Sequence, residues 1–189
     1  MKAANFKELV KLVYSDFYRT HPHIQYDYSL KMVLRLYKWG RKEWVFWFRC
    51  AQYRSWWQPL AKKRYAKLSE RLLIEIPLKT EVGYGLYIGH PRCIVINEGT
   101  KIGNNVNLSH FLSIGTNNNT PATIGDDVYI GPMCCIVEDV KIGNKATIGA
   151  GSVVVKDIED NATVAGVPAR VLNYENPSRF IKNKFVESK

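Results

Sequence analysis

Four imidazoles, His21, His23, His90 and His110, are the side chains of this 189-residue chain best suited to move a proton at neutral pH. Their ordinary pKa, near 6.5, permits both charge states there. An alcohol is a poor nucleophile at that pH, so a histidine beside one would serve as general base. His21 and His23 flank Pro22 in a polar turn and read as surface residues. His90 heads the segment His90-Pro91-Arg92-Cys93, and His110 follows Leu108-Ser109, where its ring faces either a groove or bulk water. Cys50, Cys93, Cys134 and Cys135 show no CxxC or metal-ligand spacing, so reduced, mostly buried thiols and no metal are expected. Cys93 lies close to His90, but no second histidine adjoins it to suggest an activated thiolate.

The elements that must position these residues are announced by a repeat. Aliphatic residues recur at Val82, Ile88, Ile96, Ile102, Leu108, Ile114, Ile124, Ile130, Ile136, Ile142, Ile148 and Val154. The step is six, except for eight before Ile96 and ten before Ile124. Neither a helix of period 3.6 nor a strand of period 2 gives that spacing. Glycine usually follows the aliphatic residue, and small or β-branched residues such as Val106, Val128, Cys134 and Ala146 stand four positions after it. Each hexapeptide is therefore expected to be one short strand and a corner, three of them closing a triangular coil. Coils would stack about 4.8 Å apart through parallel ladders. Gly103-Asn104-Asn105 and Gly143-Asn144 are expected to take positive φ at corners. The two breaks, His90–Cys93 and Thr116–Pro121, must bulge outward, and such loops tend to gather on a binding face.

Charge divides the chain. Residues 1–75 carry 16 Lys/Arg against 6 Asp/Glu, whereas residues 76–189 carry 11 of each. All five tryptophans lie within 39–57. The expected organisation is an α-helical, basic and aromatic region over 1–75, a β-helix over 76–172 and a tail over 173–189. Residues 5–19 read as an amphipathic helix, and a second helical region spans roughly 28–70. Its interleaved Trp, Tyr, Lys and Arg suit either packing against the first coils or contact with an anionic membrane surface. No motif accompanies the charge to suggest nucleic acid. No apolar run approaches the ~18 residues of a membrane span, and residues 1–5 lack a signal-peptide core, so a cytoplasmic location is expected, with or without peripheral contact at the inner face of the membrane.

Ile-Gly-Asp-Asp-Val-Tyr-Ile-Gly-Pro (124–132), Ile-Gly-Ala-Gly-Ser-Val-Val (148–154) and Val-Ala-Gly-Val-Pro-Ala-Arg (164–170) resemble the hexapeptide-repeat acyltransferases. Within them, the segment 86–97 is similar to the part of serine O-acetyltransferases and capsule or O-antigen O-acetyltransferases that holds the catalytic histidine. The resemblance implies a mainly β fold, a left-handed parallel β-helix behind a small helical region. It also implies a homotrimer, with acetyl-CoA in the groove between neighbouring β-helices. It makes His90 the base of a direct transfer in a ternary complex, and His110, Asn119 and Thr120 candidates for binding the substrate or supporting the base. Gly131, Pro132, Ala150 and Gly151 are expected along the pantetheine arm, and Lys156 and Arg170 at the cofactor's phosphates.

The chain departs from the serine enzymes in ways that bear on the acceptor. Gly89 stands where they carry an Asp before the histidine, and Asn119-Thr120 stand where they carry Arg-His. An arginine is the natural clamp for a free amino acid's carboxylate, whereas a neutral Asn/Thr loop suits a sugar hydroxyl. The expected acceptor is therefore a sugar or polysaccharide precursor of a surface glycan. Serine O-acetylation and a non-catalytic binding protein are the alternatives.

Overall fold

The computed structural model describes residues 2–118 and 120–187. Four helices open the chain: α1 (Phe6–Tyr18), α2 (Leu30–Gly40), α3 (Trp44–Gln52) and α4 (Gln58–Leu72). Asn5 and Ser29 cap α1 and α2, their side-chain oxygens accepting the N–H of Glu8 at 2.9 Å and of Met32 at 3.1 Å. The single region expected over 28–70 is thus three helices, broken at Arg41–Glu43 and Tyr53–Trp57.

A parallel β-helix follows, one strand per side in each coil. β1 (Ile74–Glu75), β2 (Glu81–Val82) and β3 (Tyr87–Gly89) make the first coil, and β4 (Ile94–Ile96), β5 (Lys101–Ile102) and β6 (Asn107–Ser109) the second. β7 (Leu112–Gly115), β8 (Thr123–Ile124) and β9 (Tyr129–Ile130) make the third, and β10 (Cys135–Val137), β11 (Lys141–Ile142) and β12 (Thr147–Ile148) the fourth. The fifth has β13 (Val153–Val154), a single bridge at Ile158 and β14 (Thr163–Gly166), on which β15 (Ala169–Asn173) folds back antiparallel. Three sheets result: β1-β4-β7-β10-β13 (first), β2-β5-β8-β11 (second) and β3-β6-β9-β12-β14-β15 (third).

The sixfold aliphatic residues fill the prism. All are buried except Ile88, which is half-buried where the helices meet the first coil. Positive φ falls on Asn105 (55°), inside the first expected corner, and on Lys145 (59°), one residue past the second, rather than on Gly103 or Gly143. The two glycines are needed for close approach instead, since a Cβ on Gly103 would stand 2.6 Å from the Gly125 backbone carbon one coil away.

The three faces differ. The second sheet presents Glu81, Lys101, Thr123 and Lys141 to solvent. The third is covered by the chain's own tail, where Phe180 packs on Tyr129 with centroids 4.7 Å apart and Lys184 pairs with Asp127 at 2.9 Å. The first shows a ladder of Glu75, Val95, Ser113, Cys135 and Val153, small and mostly apolar beyond its charged first rung. Of the thiols, Cys50 and Cys134 are buried while Cys135 is exposed and Cys93 half-buried, so only two of the four match the expected burial.

The helices close the first coil's open edge. Arg49 Nη1 donates to Val82 O at 2.9 Å and Nη2 to Gly83 O at 2.6 Å, while its other donors reach both carboxylate oxygens of Asp16. Asp16 in turn accepts Leu86 N–H at 2.8 Å, and Ser15 Oγ accepts Gly85 N–H at 2.9 Å. Burial pushes the Asp16 carboxyl above its ordinary range, and Arg49 pulls against it. Replacing one partner of such a pair costs about 3–5 kcal/mol. Arg49→Met is expected to lose that much, read as a shift of the urea midpoint, with Asp16→Asn/Arg49→Met recovering part of it.

Candidate functional site

The corner between the third and first sheets carries the histidines. His90 follows β3 directly with φ of 55°. Gly89 and Ser109 pair in register, so His110, which follows β6, stands beside His90 one coil on. The rings meet edge to face, 5.8 Å between centroids with planes at 88°. Phe111 N–H donates to Arg92 O at 3.2 Å, Met133 N–H to His110 O at 3.1 Å and Gly151 N–H to Pro132 O at 2.9 Å. These bonds place Arg92, His110, Pro132 and Ala150 in one column along the corner. The first coil has two residues more than this column requires, and they are His90 and Pro91, displaced outward.

The corner turn demands a left-handed residue just beyond the column. Cys93 (54°), Phe111 (56°), Met133 (60°) and Gly151 (70°) fill it, and each coil's turn reproduces the last.

A crevice of about 520 Å³ opens at the head of the column, lined by Leu72, His90, Pro91, Arg92, His110 and Phe111. His110 Nδ1 is buried with no hydrogen-bond partner among the described residues, which leaves it open to a bound group in the crevice. The His90 ring makes no hydrogen bond among the described residues, so its orientation rests on packing against His110 rather than on a carboxylate. Arg92 brings an exposed guanidinium to the same crevice. The sequence reading had Arg92 in the bulge without a role. Its signal was its place two residues after His90, and that of Phe111 was its place one residue after His110. Leu72 comes from the end of α4, which no local pattern ties to this corner.

Other expected site residues fall elsewhere. Gly131, Pro132, Ala150 and Gly151 do lie on the histidine column. The N–H groups of Gly131 and Gly151 are spent within it, donating to Ile148 O and Pro132 O at 2.9 Å each. The Ala150 N–H and C=O make no hydrogen bond among the described residues, which leaves them open to an amide of a ligand. Arg170 pairs with Ala165 on the hairpin that closes the same end of the third sheet, and its guanidinium is exposed. Lys156 does not join the column. It follows β13 at the opposite edge of the first sheet, as does the Thr116–Pro121 bulge, whose Thr116 Oγ1 donates to Glu138 Oε2 at 3.0 Å. Thr120 is therefore separated from His90 by the width of that sheet within one chain, and Asn119 lies outside the described residues. The expectation that both bulges share one face fails for a single chain, because the ten-residue step falls one strand later in its coil than the eight-residue step. His21 and His23 stand beyond α1, where His21 stacks on Phe17 at 4.2 Å.

A second cavity, about 260 Å³ among α1, α2 and α3, is walled by Leu9, Val13, Leu36, Phe46 and Trp47. Its one titratable thiol, Cys50, is pushed by burial up to about 12, which leaves it inert. No His/Cys/Asp/Glu group that could hold a metal ion occurs among the described residues.

Comparison with known proteins places the chain in a class. Residues 121–156 match the family described as bacterial transferase hexapeptide (six repeats). Galactoside O-acetyltransferase of Escherichia coli K12 is 32% identical over 154 residues, which cover 69% of this chain and 76% of that protein. The chain belongs to the hexapeptide-repeat transferase family. A serine acetyltransferase of Buchnera aphidicola is 31% identical over 124 residues, 63% of this chain and 45% of that protein. Among solved structures, serine acetyltransferase of Neisseria gonorrhoeae in complex with serine superposes with a TM-score of 0.68 at 29% identity, covering 87% of this chain and 69% of that one. The chain thus spans less than half the length of the Buchnera relative.

The column can be tested by its glycines. A Cβ on Gly131 would meet Ala150 N at 2.8 Å and Ile148 O at 2.9 Å, backbone that cannot yield, whereas Gly151 has open space and only its φ to satisfy. Gly151→Ala is expected to cost about 1–2 kcal/mol. Gly131→Ala is expected to cost more, read by thermal unfolding of the two variants side by side.

Proposed function

We propose that the chain is an acetyl-CoA-dependent O-acetyltransferase with His90 as base. The observation that carries this reading is the His90–His110 pair at the head of a corner column that ends in the open amide of Ala150. The residues fit acetyl-CoA: Ala150 offers both an N–H and a C=O to the pantetheine amides, and Arg170 offers a cation for phosphate. His90 takes the proton of the acceptor hydroxyl, and the oxygen attacks the thioester carbonyl. The tetrahedral intermediate collapses with loss of the CoA thiolate, which recovers the proton from the imidazolium. Nothing in this scheme uses Cys93 as a nucleophile.

The assembly is proposed to be a homotrimer in which the first sheet's apolar ladder is covered. That sheet is bounded on one edge by the histidine corner and on the other by the Thr116–Pro121 bulge and Lys156. A ring of copies would bring the histidine edge of one to the bulge edge of the next, completing a groove that a single chain leaves open. Cys135→Arg, which places a charge in mid-ladder, is expected to release monomers in analytical ultracentrifugation and to lower turnover with them.

For the acceptor, similarity weighs toward serine rather than the surface glycan expected from sequence. Serine acetyltransferases, bacterial and plant, recur among the relatives, and Arg92 supplies a carboxylate partner beside His90. A sugar hydroxyl is the second reading, favoured by Gly89 before the histidine and by the likeness to galactoside O-acetyltransferase. Membrane contact through residues 28–70 gains no support. Trp44 and Trp47 are buried and Trp39 and Trp57 half-buried against other helices, leaving only Trp56 exposed at 92%. No helix among the described residues is long and apolar enough to cross a membrane.

Thiol release from acetyl-CoA tests the reading. With a productive acceptor, His90→Ala is expected to lower the rate by about 10²–10⁴. An unchanged rate would remove His90 as base. Turnover of L-serine would assign the acceptor to amino acids, and turnover of glycosides alone would assign it to sugars.

A further inference from the structure

Pro91 has a second side. Behind the wall it gives to the histidine crevice lies another opening, about 300 Å³, between the helices and the first coil. Trp39 at the end of α2, Glu43 just before α3, His21 after α1 and Tyr87 on β3 line it, over a floor that includes Ile88. The sequence marks none of these as a group, because they come from four separate elements.

Their polar atoms are uncommitted. The Glu43 carboxylate, the Trp39 indole N–H, the Tyr87 hydroxyl and His21 Nε2 make no hydrogen bond or ion pair among the described residues. Among the described residues no Lys or Arg side chain lines the opening, and the two arginines that touch its lining residues Asp16 and Tyr87 are already engaged. Arg19 donates to Gly85 O at 2.5 Å and Asn107 Oδ1 at 2.6 Å, and Arg49 is paired with Asp16. A free amino acid would find no Lys or Arg in this lining to pair with its carboxylate. A neutral ring with an apolar face and a polar rim would find both its needs met: flat indole and phenol surfaces for the C–H face, and a carboxylate able to accept from two neighbouring hydroxyls. The opening's volume lies at the lower end of small-molecule sites, which matches one ring.

We infer that this opening is an acceptor subsite for a neutral pyranoside, which it holds so that a hydroxyl reaches His90 past Pro91. Glu43 acts as a positioning residue. The inference rests on the acetyltransferase reading only for what happens at His90. It names a sugar where overall similarity weighs toward serine, and its support is the lining of the opening.

The test reads binding apart from turnover. Methyl β-D-galactopyranoside, methyl β-D-glucopyranoside and methyl α-D-mannopyranoside are offered to the full chain in saturation-transfer NMR, with ethanolamine as a small cation. At least one glycoside is expected to bind wild type and His90→Ala alike. Glu43→Gln, nearly isosteric and on a half-buried turn, is expected to weaken it about tenfold or more, as loss of a charge-assisted hydrogen bond does. Trp39→Ala is expected to abolish the signal. In turnover, Glu43→Gln is expected to raise the glycoside KM by a similar factor while the acetyl-CoA KM holds. The inference is overturned if no glycoside binds wild type, or if Glu43→Gln and Trp39→Ala bind as wild type does. Ethanolamine binding lost in Glu43→Gln, with glycosides unaffected, would make Glu43 the counter-ion of an ammonium and overturn it equally. Glycoside binding with acetyl transfer to serine alone would overturn the acceptor role, whereas glycoside binding with no transfer to any acceptor, serine included, would defeat the acetyltransferase reading instead.

Discussion

A parallel β-helix must end somewhere, and its first coil then exposes a row of backbone groups with no coil beyond to pair them. Buried and unpaired, each would cost free energy comparable to a lost hydrogen bond; exposed, the row would invite another chain. This chain answers with charged side chains from its helices. Arg49, Asp16, Ser15 and Arg19 together meet Val82 O, Gly83 O, Gly85 N–H, Gly85 O and Leu86 N–H. Gln52 adds bonds to Leu78 O and Thr80 O, and the Tyr65 hydroxyl reaches Ile76 O. The N-terminal region is in this sense the missing coil, built from helices. At the other end the antiparallel β15 covers the third sheet's last strand.

That constraint explains why buried ions occur at all in so small a protein. A carbonyl edge needs donors and an amide edge needs acceptors, within the same few ångströms. Arginine supplies several donors in a fixed fork, and a carboxylate beside it accepts the N–H groups while balancing the charge. The pair is held in place by the aromatic packing of α1 and α3 around it, in which Trp44 stacks on Phe48 with centroids 5.0 Å apart and its indole donates to Ser69 at 2.8 Å. Basic and aromatic residues that resemble a membrane-facing composition are thus largely spent on capping and packing. The tail completes the fastening, since Asn183 donates to Arg19 O at 3.0 Å and Arg19 Nε to Lys182 O at 3.1 Å.

What was legible in the sequence divides along the same line. The coils could be read because each is specified by residues six apart, with the environment of one repeated in the next. Even there, Gly103 looked like a turn residue and proved to be a contact residue, since composition cannot tell a positive φ from a coil packed too close for a Cβ. His90 could be found because a bulge interrupts a cadence. The partnership of His90 with His110 could not be read directly, as it depends on Gly89 facing Ser109 twenty residues later. The break of the basic region into three helices was missed because Trp57 and Glu43, which begin two of them, cap without a side-chain hydrogen bond and leave no Ser, Thr, Asp or Asn to mark the spot. Trp39, Glu43, His21 and Tyr87 share a wall only through tertiary packing.

The position of the histidine bulge within the column follows from the ladders. A middle coil is bonded on both sides, so extra residues at its corner must fit against two neighbours. The first coil's corner has a coil on one side only. On the other lies the end of α4, whose Leu72 and Leu73 carbonyls accept Cys93 N–H at 3.0 Å and Ile94 N–H at 3.1 Å. Those two bonds re-seat the chain at Cys93 and let His90 and Pro91 swing clear. Leu73 can turn there because it takes a left-handed φ of 56° as the helix ends. The junction of helix and column thus holds an imidazole off the regular path with defined backbone on both sides. The same junction puts Pro91 against the helices and so joins the histidine crevice to the wall formed by Trp39 and Glu43. Closing the solenoid's edge and building a site beside it are, in this chain, consequences of one piece of packing.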